Sequence, residues 1–256
     1  MIMATVEEIA RRLLLRAPAE TAEEWDNVGL MTGDRNASVS AVTVCLDLTD
    51  AALDCAVQNG SSLIVTHHPL IFRPVRAVEA DSLLCRAIRS GIAVLSLHTN
   101  LDKAAGGVND TLAEKLGLCD VTAADDGFCR IGRPSAPMTA AEFAAHTGKV
   151  LRTAVRYSTG SRPVERVAVC GGSGGDLLLP LGGRVDAVVS GELRHHEWLA
   201  LRSAGVTAVE AGHYATEVCV TGTLEKWIRA DFPALAVTVF ADEEPYRVIL
   251  PDEGEE

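Results

Sequence analysis

Short apolar runs recur along the chain, each followed by a stretch with helical apolar spacing and, in most cases, a glycine stop. That alternation predicts parallel strands joined by crossover helices. In the first half the predicted strands cover residues 42–46, 63–66 and 92–97. Helices are predicted at 50–59, 81–90 and 108–116, closed by Gly60, Gly91 and Gly117. The second half repeats the order. Strands are predicted at 166–170, 187–190, 206–211 and 236–240, and helices at 195–203 and 216–230, with a short one opened by Asp176. Val6, Ile9 and Leu13 have the spacing of an N-terminal amphipathic helix over 6–15. Between the halves, 119–137 is rich in Asp, Gly and Pro and predicts a linker with a short strand at 128–131, followed by a helix at 138–149 and a strand at 153–157.

The two halves keep register. Val44 and Val169 lie 125 residues apart, as do Ile64 and Val189, whereas Leu95 and Val209 lie 114 apart. The difference of 11 matches the long loop 70–80, which the second half lacks. The expectation is an α/β fold built as two related α/β domains from an internal duplication, with mostly parallel strands: residues 1–120 and 121–256, without an inserted middle domain.

Composition narrows the functional class. The chain has 256 residues and a formal net charge of −12, which argues against a broad nucleic-acid surface, since that needs Lys and Arg to neutralise phosphates. No run approaches the ~18 apolar residues that span a bilayer, and acids stand near the start where a leader would carry bases. A cytoplasmic protein with no membrane partner is expected. The acids of the tail, 252–256, are read as a solvated end. The seven cysteines form no Cys-x2-Cys pair and read as reduced, buried small residues.

The candidate chemistry sits at strand ends, where open α/β sheets bind ligands. His67 and His68 follow one predicted strand, and His98 and His213 follow two others. Asp102 and Glu217 complete two His-x3-acid pairs leaving the third strand of each half. Five N and O donors, His67, His68, Asp102, His213 and Glu217, suit two divalent cations per chain from among Zn, Fe, Mn, Co and Ni, with positions left open for water. Adjacent imidazoles crowd one ion but serve two, and a carboxylate can bridge them. His98 is a ligand, an orienting partner or a proton-moving catalytic residue. His195 and His196 open a helix and are either a pocket rim or ordinary helix residues; His146 is read as surface. Gly171–Gly172–Ser173–Gly174–Gly175 lacks the pattern of a phosphate loop and reads as a tight turn.

Taken together, Glu24-Trp25-Asp26-Asn27-Val28-Gly29-Leu30, Thr66-His67-His68-Pro69-Leu70, His98-Thr99-Asn100-Leu101-Asp102, Gly171-Gly172-Ser173-Gly174, Ser190-Gly191-Glu192 and Gly212-His213-Tyr214-Ala215-Thr216-Glu217 resemble the YbgI-like, NIF-three-like family of dinuclear metal proteins, the GTP cyclohydrolase I type 2 homologues, in its short form. The resemblance implies a toroidal homohexamer and the same five ligands. It pairs His68 with Asp102 on one metal and His67 with His213 on the other, with Glu217 bridging. It also implies a metal-dependent hydrolase that acts on a small molecule, a purine nucleotide or related ring, through water activated by the metals. Two other readings stand beside it: a dinuclear phosphoesterase, and a non-catalytic, metal-stabilised assembly or regulatory protein.

Overall fold

The computed structural model describes residues 4–241 and 243–249; the acidic tail falls outside them. Two sheets carry the chain. The first has the order β1 (Gly29–Thr32), β4 (Ala93–Ser96), β3 (Leu63–Thr66), β2 (Ala41–Cys45), β11 (Ala236–Val239). Its strands are parallel except for β1. The second has the order β5 (Cys119–Ala123), β6 (Arg130–Arg133), β8 (Val167–Cys170), β9 (Ala187–Ser190), β10 (Thr207–Glu210), β7 (Arg156–Ser158). Here β8, β9 and β10 run parallel and the other pairs are antiparallel.

The helices are α1 (Val6–Arg16), α2 (Asp50–Gln58), α3 (Leu83–Ser90), α4 (Thr99–Lys103), α5 (Val108–Lys115), α6 (Ala140–Leu151), α7 (Gly175–Leu178), α8 (His195–Ser203), α9 (His213–Glu217) and α10 (Val220–Asp231). Their starts follow local chemistry. Thr5 caps α1 and Glu8 reaches back to its backbone, and Thr139 and Glu142 do the same for α6, each pair satisfying two donors that a helix start leaves orphaned. On α1, Val6, Ile9, Ala10 and Leu13 form one buried stripe.

The predicted strands of both halves form with small shifts in their ends, and each half has strands buried on both faces, as parallel sheets covered by helices require. Three features depart from expectation. First, residues 236–240 do not close the second half: β11 pairs with β2 and α10 packs with α1, so this last strand returns to the first sheet. Hydrogen bonding thus does not divide at residue 120, because β5, starting at Cys119, pairs in the second sheet. Second, the helix expected at 216–230 is two helices, α9 and α10. Third, the offset of 125 fails for the second strand. Val65 and Val189 face the layer that includes α5, whereas Ile64 faces α2 and α3. The matching offset is 124, since a one-residue slip in a strand exchanges its faces.

Helix α5 joins the halves. Val108 enters the first core, and Leu112 and Ala113 enter the second beside Phe143. Arg130, 3% exposed, locks the same joint. Its guanidinium pairs with Asp110 of α5 and donates to the carbonyls of Lys103 and Ala104 at 3.0 and 3.2 Å and of Gly127 at 2.9 Å. A buried guanidinium is tolerated only when its donors are satisfied in this way.

Candidate metal centre

Strands β3 and β4 lie side by side in parallel, so their carboxyl ends bring His67, His68 and His98 to one place. The segment after β10 brings His213 and Glu217 on α9, and α4 brings Asp102. These residues surround a cavity of about 460 Å³ whose lining includes His68, His98, Asp102, His213 and Glu217. His67 is fully buried beneath it.

Two triads share one carboxylate. His67, Asp102 and Glu217 form one, and His68, His213 and Glu217 the other; the donor atoms in each lie within 4.8 Å of one another. Glu217 Oε1 is 3.8 Å from His67 Nε2, and Asp102 Oδ1 is also 3.8 Å from that nitrogen. Glu217 Oε2 is 3.1 Å from the Nε2 atoms of both His68 and His213. Yet Glu217 Oε2 and His67 Nε2 have no geometrically acceptable hydrogen bond, though both are buried. Orphaned buried polar atoms are costly, and lone pairs that converge without bonding to one another are what a cation site presents. The donor set therefore fits divalent metal ions. By distance His67 groups with Asp102 and His68 with His213, and His67 and His68 also group with His98 within the same 4.8 Å, whereas the resemblance implied His68 with Asp102 and His67 with His213.

Each imidazole is held by its other nitrogen. His67 Nδ1 donates to the Leu97 carbonyl at 3.0 Å. A carbonyl only accepts, so the proton sits on Nδ1. His68 Nδ1 bonds Asp47 at 2.8 Å and His98 Nδ1 bonds Asp26 at 2.8 Å; His213 Nδ1 lies 3.2 Å from Glu192. All four rings thus turn Nε2 toward the centre, the arrangement by which metal-binding imidazoles are oriented and made more basic.

The electrostatics follow from burial and neighbours. Burial pushes Asp102 up to about 7, against the opposing pull of His67. Burial would lower His68, but its bond to Asp47 and the negative charge of Glu217 beside it win and raise it to about 10. Burial would raise Glu217, but the three imidazoles hold it well below the usual carboxylate range. Burial and the neighbouring His67 lower His98 despite Asp26. Asp26 stays low because bonds from Thr99 and His98 outweigh its desolvation.

The glycine-rich turn does more than turn. Gly172 has φ +59°, and a Cβ there would fall on Glu217 Oε1 and lie 3.2 Å from His213 Nε2. Only glycine lets this backbone cover the shared carboxylate. Asn109 on α5 fastens the cover to the first half: it donates to the Asp102 carbonyl at 3.3 Å and accepts from Gly171 N at 2.7 Å.

The five expected ligands and His98 are all brought together. The two His-x3-acid pairs are not structural equivalents, however. His98 occupies the cap position before α4, which Gly212 occupies before α9, so the second pair is displaced by one residue. His195 and His196 are exposed and do not line the cavity. His146 is partly buried and bonds the Leu116 carbonyl at 2.9 Å, rather than lying free at the surface. None of the seven cysteines is in a disulfide; Cys45, Cys129 and Cys170 are buried, and Cys119 is exposed. Asp26 and Glu192 stand in the resembling motifs but are given no role by the sequence, and Asp47 stands in none of them. The signal for Asp47 and Glu192 was their place just beyond β2 and β9.

Among the described residues no helix is long and apolar enough to cross a membrane. A relative from Lactococcus lactis, called GTP cyclohydrolase 1 type 2 homolog, is 34% identical over 212 residues, covering 77% of this chain and 81% of that one. One of the same name from Streptomyces coelicolor is 35% identical over 234 residues, covering 84% and 82%. The crystal structure of Staphylococcus aureus protein SA1388 superposes with a TM-score of 0.89 at 22% identity, over 97% of this chain and all of that one, which establishes the shared fold. The model of the Duf34/NIF3 (NGG1p interacting factor 3) family matches residues 4–245, and the chain belongs to that family.

Proposed function

We propose that the chain is a dinuclear metal-dependent hydrolase acting on a purine nucleotide or a related ring. The observation that carries the reading is the pair of triads sharing Glu217 at the base of one open cavity. His67, Asp102 and Glu217 would hold one cation, and His68, His213 and Glu217 the other. The nitrogen and oxygen donors admit Zn, Fe, Mn, Co or Ni. Two bound cations supply Lewis acidity, an activated water and a clamp for a polar substrate atom.

The chain's own residues do the rest. Asp26 fixes His98 through Nδ1, so Nε2 faces the cavity as a proton acceptor. Its lowered pKa keeps that nitrogen unprotonated near neutrality, which suits a base that takes a proton and returns it. Asp47 and Glu192 hold the rings of His68 and His213 in place. The name GTP cyclohydrolase 1 type 2 homolog, carried by the relatives, supports a purine ring as substrate. A toroidal hexamer belongs to the same proposal.

Metal content per chain, measured by mass spectrometry on protein purified without added metal, tests the site. About two transition-metal ions are expected, lost in Glu217→Ala. Product analysis then tests the chemistry. Formate released from a purine nucleotide supports ring opening; phosphate release identifies a phosphoesterase instead. Two metals with no turnover on either class would turn the reading to an assembly protein.

A further inference from the structure

Trp25 and Phe72 form one side of the cavity mouth, and Phe128 and Leu177 also line the cavity. Trp25 is 59% exposed and Phe72 45%. Aromatic area left in water beside a site is a binding surface in search of a partner. The Trp25 and Phe72 rings meet edge to face, with centroids 5.8 Å apart, and stand 6.2 and 6.1 Å from the His98 ring.

The wall is preorganised. Asn27 donates to the Ile71 carbonyl at 2.5 Å, joining the loop that carries Trp25 to the loop that carries Phe72. Asp26 accepts from Thr99 N at 3.0 Å and from His98, fixing the same segment to the start of α4. Both rings are therefore held in place relative to Asp102 and His98, and little ordering entropy is left to lose on binding.

Charge is the second observation. Among the described residues no Lys or Arg lines this cavity, and its acids Asp102 and Glu217 are the ones assigned to the cations. Lys103 is turned to Glu23 at 2.6 Å and lies over Phe128, 4.6 Å from its centroid. Arg73 and Arg76 follow Phe72 in the chain but are exposed and outside the lining. A triphosphate whose ring reaches the base of the cavity would find no cationic fork for its phosphates.

We infer that the cavity takes an uncharged planar heterocycle, a free base or nucleoside rather than a nucleoside triphosphate, with Trp25 and Phe72 as its stacking wall. The inference rests on the proposed ring substrate and narrows it. Tryptophan fluorescence quenching and calorimetry on the full-length protein, without added free metal, test it with guanosine, adenosine, a pteridine and a pyridine beside GTP, ribose 5-phosphate and inorganic triphosphate. At least one uncharged ring compound is expected to bind. GTP should bind no more than about threefold tighter than guanosine, and the two ring-free phosphates should bind at least tenfold more weakly than the best ring. Trp25→Ala and Phe72→Ala should each weaken that ring roughly tenfold, and Trp25→Phe should restore most of the loss. The inference is overturned if no ring binds, if GTP binds tenfold or more tightly than guanosine, or if Trp25→Ala leaves ring affinity unchanged. Ring binding without turnover removes the hydrolase reading and leaves this one standing. Turnover of a substrate with an unaltered KM in Trp25→Ala does the reverse.

Discussion

The ends of β3 and β9 occupy equivalent places in the two sheets and carry different chemistry. Thr66 and Ser190, the last strand residues, are both buried hydroxyls. Beyond Thr66 come His67 and His68; beyond Ser190 come Gly191 and Glu192. The glycine allows close packing, since a Cβ at 191 would lie 2.8 Å from the Cα of His213. Glu192 faces the Nδ1 of His213 instead of the centre. The first half therefore supplies three of the five donors and carries the aromatic side chains Trp25 and Phe72. The second supplies His213, the shared Glu217 and the glycine turn that covers it. A duplicated scaffold kept its strands and divided its labour at the loops, because packing constrains the strands and the loops are free to vary.

The largest effects should come from groups that both halves depend on. Glu217→Gln should lower metal content from about two ions per chain to near none, because both triads use this carboxylate. Asp102→Asn and His213→Ala should each leave about one ion. Loss of both ions in Asp102→Asn would break the division into triads. Next comes the joint between the halves. Arg130→Met leaves Asp110 without its cation and the Lys103 and Gly127 carbonyls without their side-chain donor and should cost about 3–5 kcal/mol, a fall in Tm of roughly 10 °C for a chain of this size by calorimetry.

Smaller effects should separate holding from binding. Asp47→Asn and Glu192→Gln, which face the far nitrogens of His68 and His213 rather than the centre, should weaken metal affinity by about tenfold to a hundredfold in competition with a chelator. Asp26→Asn should keep the metal count and lower kcat, since it holds His98 rather than a triad member. Equal metal loss in Asp26→Asn would place His98 among the ligands.

The smallest effect is on pH. Asp102 is raised to about 7 by burial and His68 to about 10 by its carboxylate partners, and both must be deprotonated to hold a cation. Protons compete more strongly as the pH falls. Chelator extraction should therefore be several times faster at pH 6 than at pH 8. Faster extraction at pH 8 would contradict the assignment.

Much of this was legible in the sequence. The continuous apolar runs of β2, β3, β4, β8, β9 and β10 mark them as strands buried on both faces, and Gly60, Gly91 and Gly117 mark helix ends. The six site residues stand out because strand ends in parallel sheets converge. The strand β5 was missed: all five of its residues are exposed, so no apolar pattern announces it. Helix α4 was missed because five residues are too few to show a helical period.

The sequence by itself determined most of the buried strands and the longer helices and marked six residues at strand ends as candidates, because these follow from periodicity and from residue type at strand ends, both local properties. The tertiary structure alone decided that β11 crosses back to the first sheet, that β3 and β9 correspond at an offset of 124, that His67 stands with Asp102 and His68 with His213, and that Asp26, Asp47 and Glu192 hold the rings. Those are matters of distance between residues far apart in the chain. They are set by the packing of α5 between two cores and by the close approach that Gly172 permits, neither of which leaves a local periodic signal.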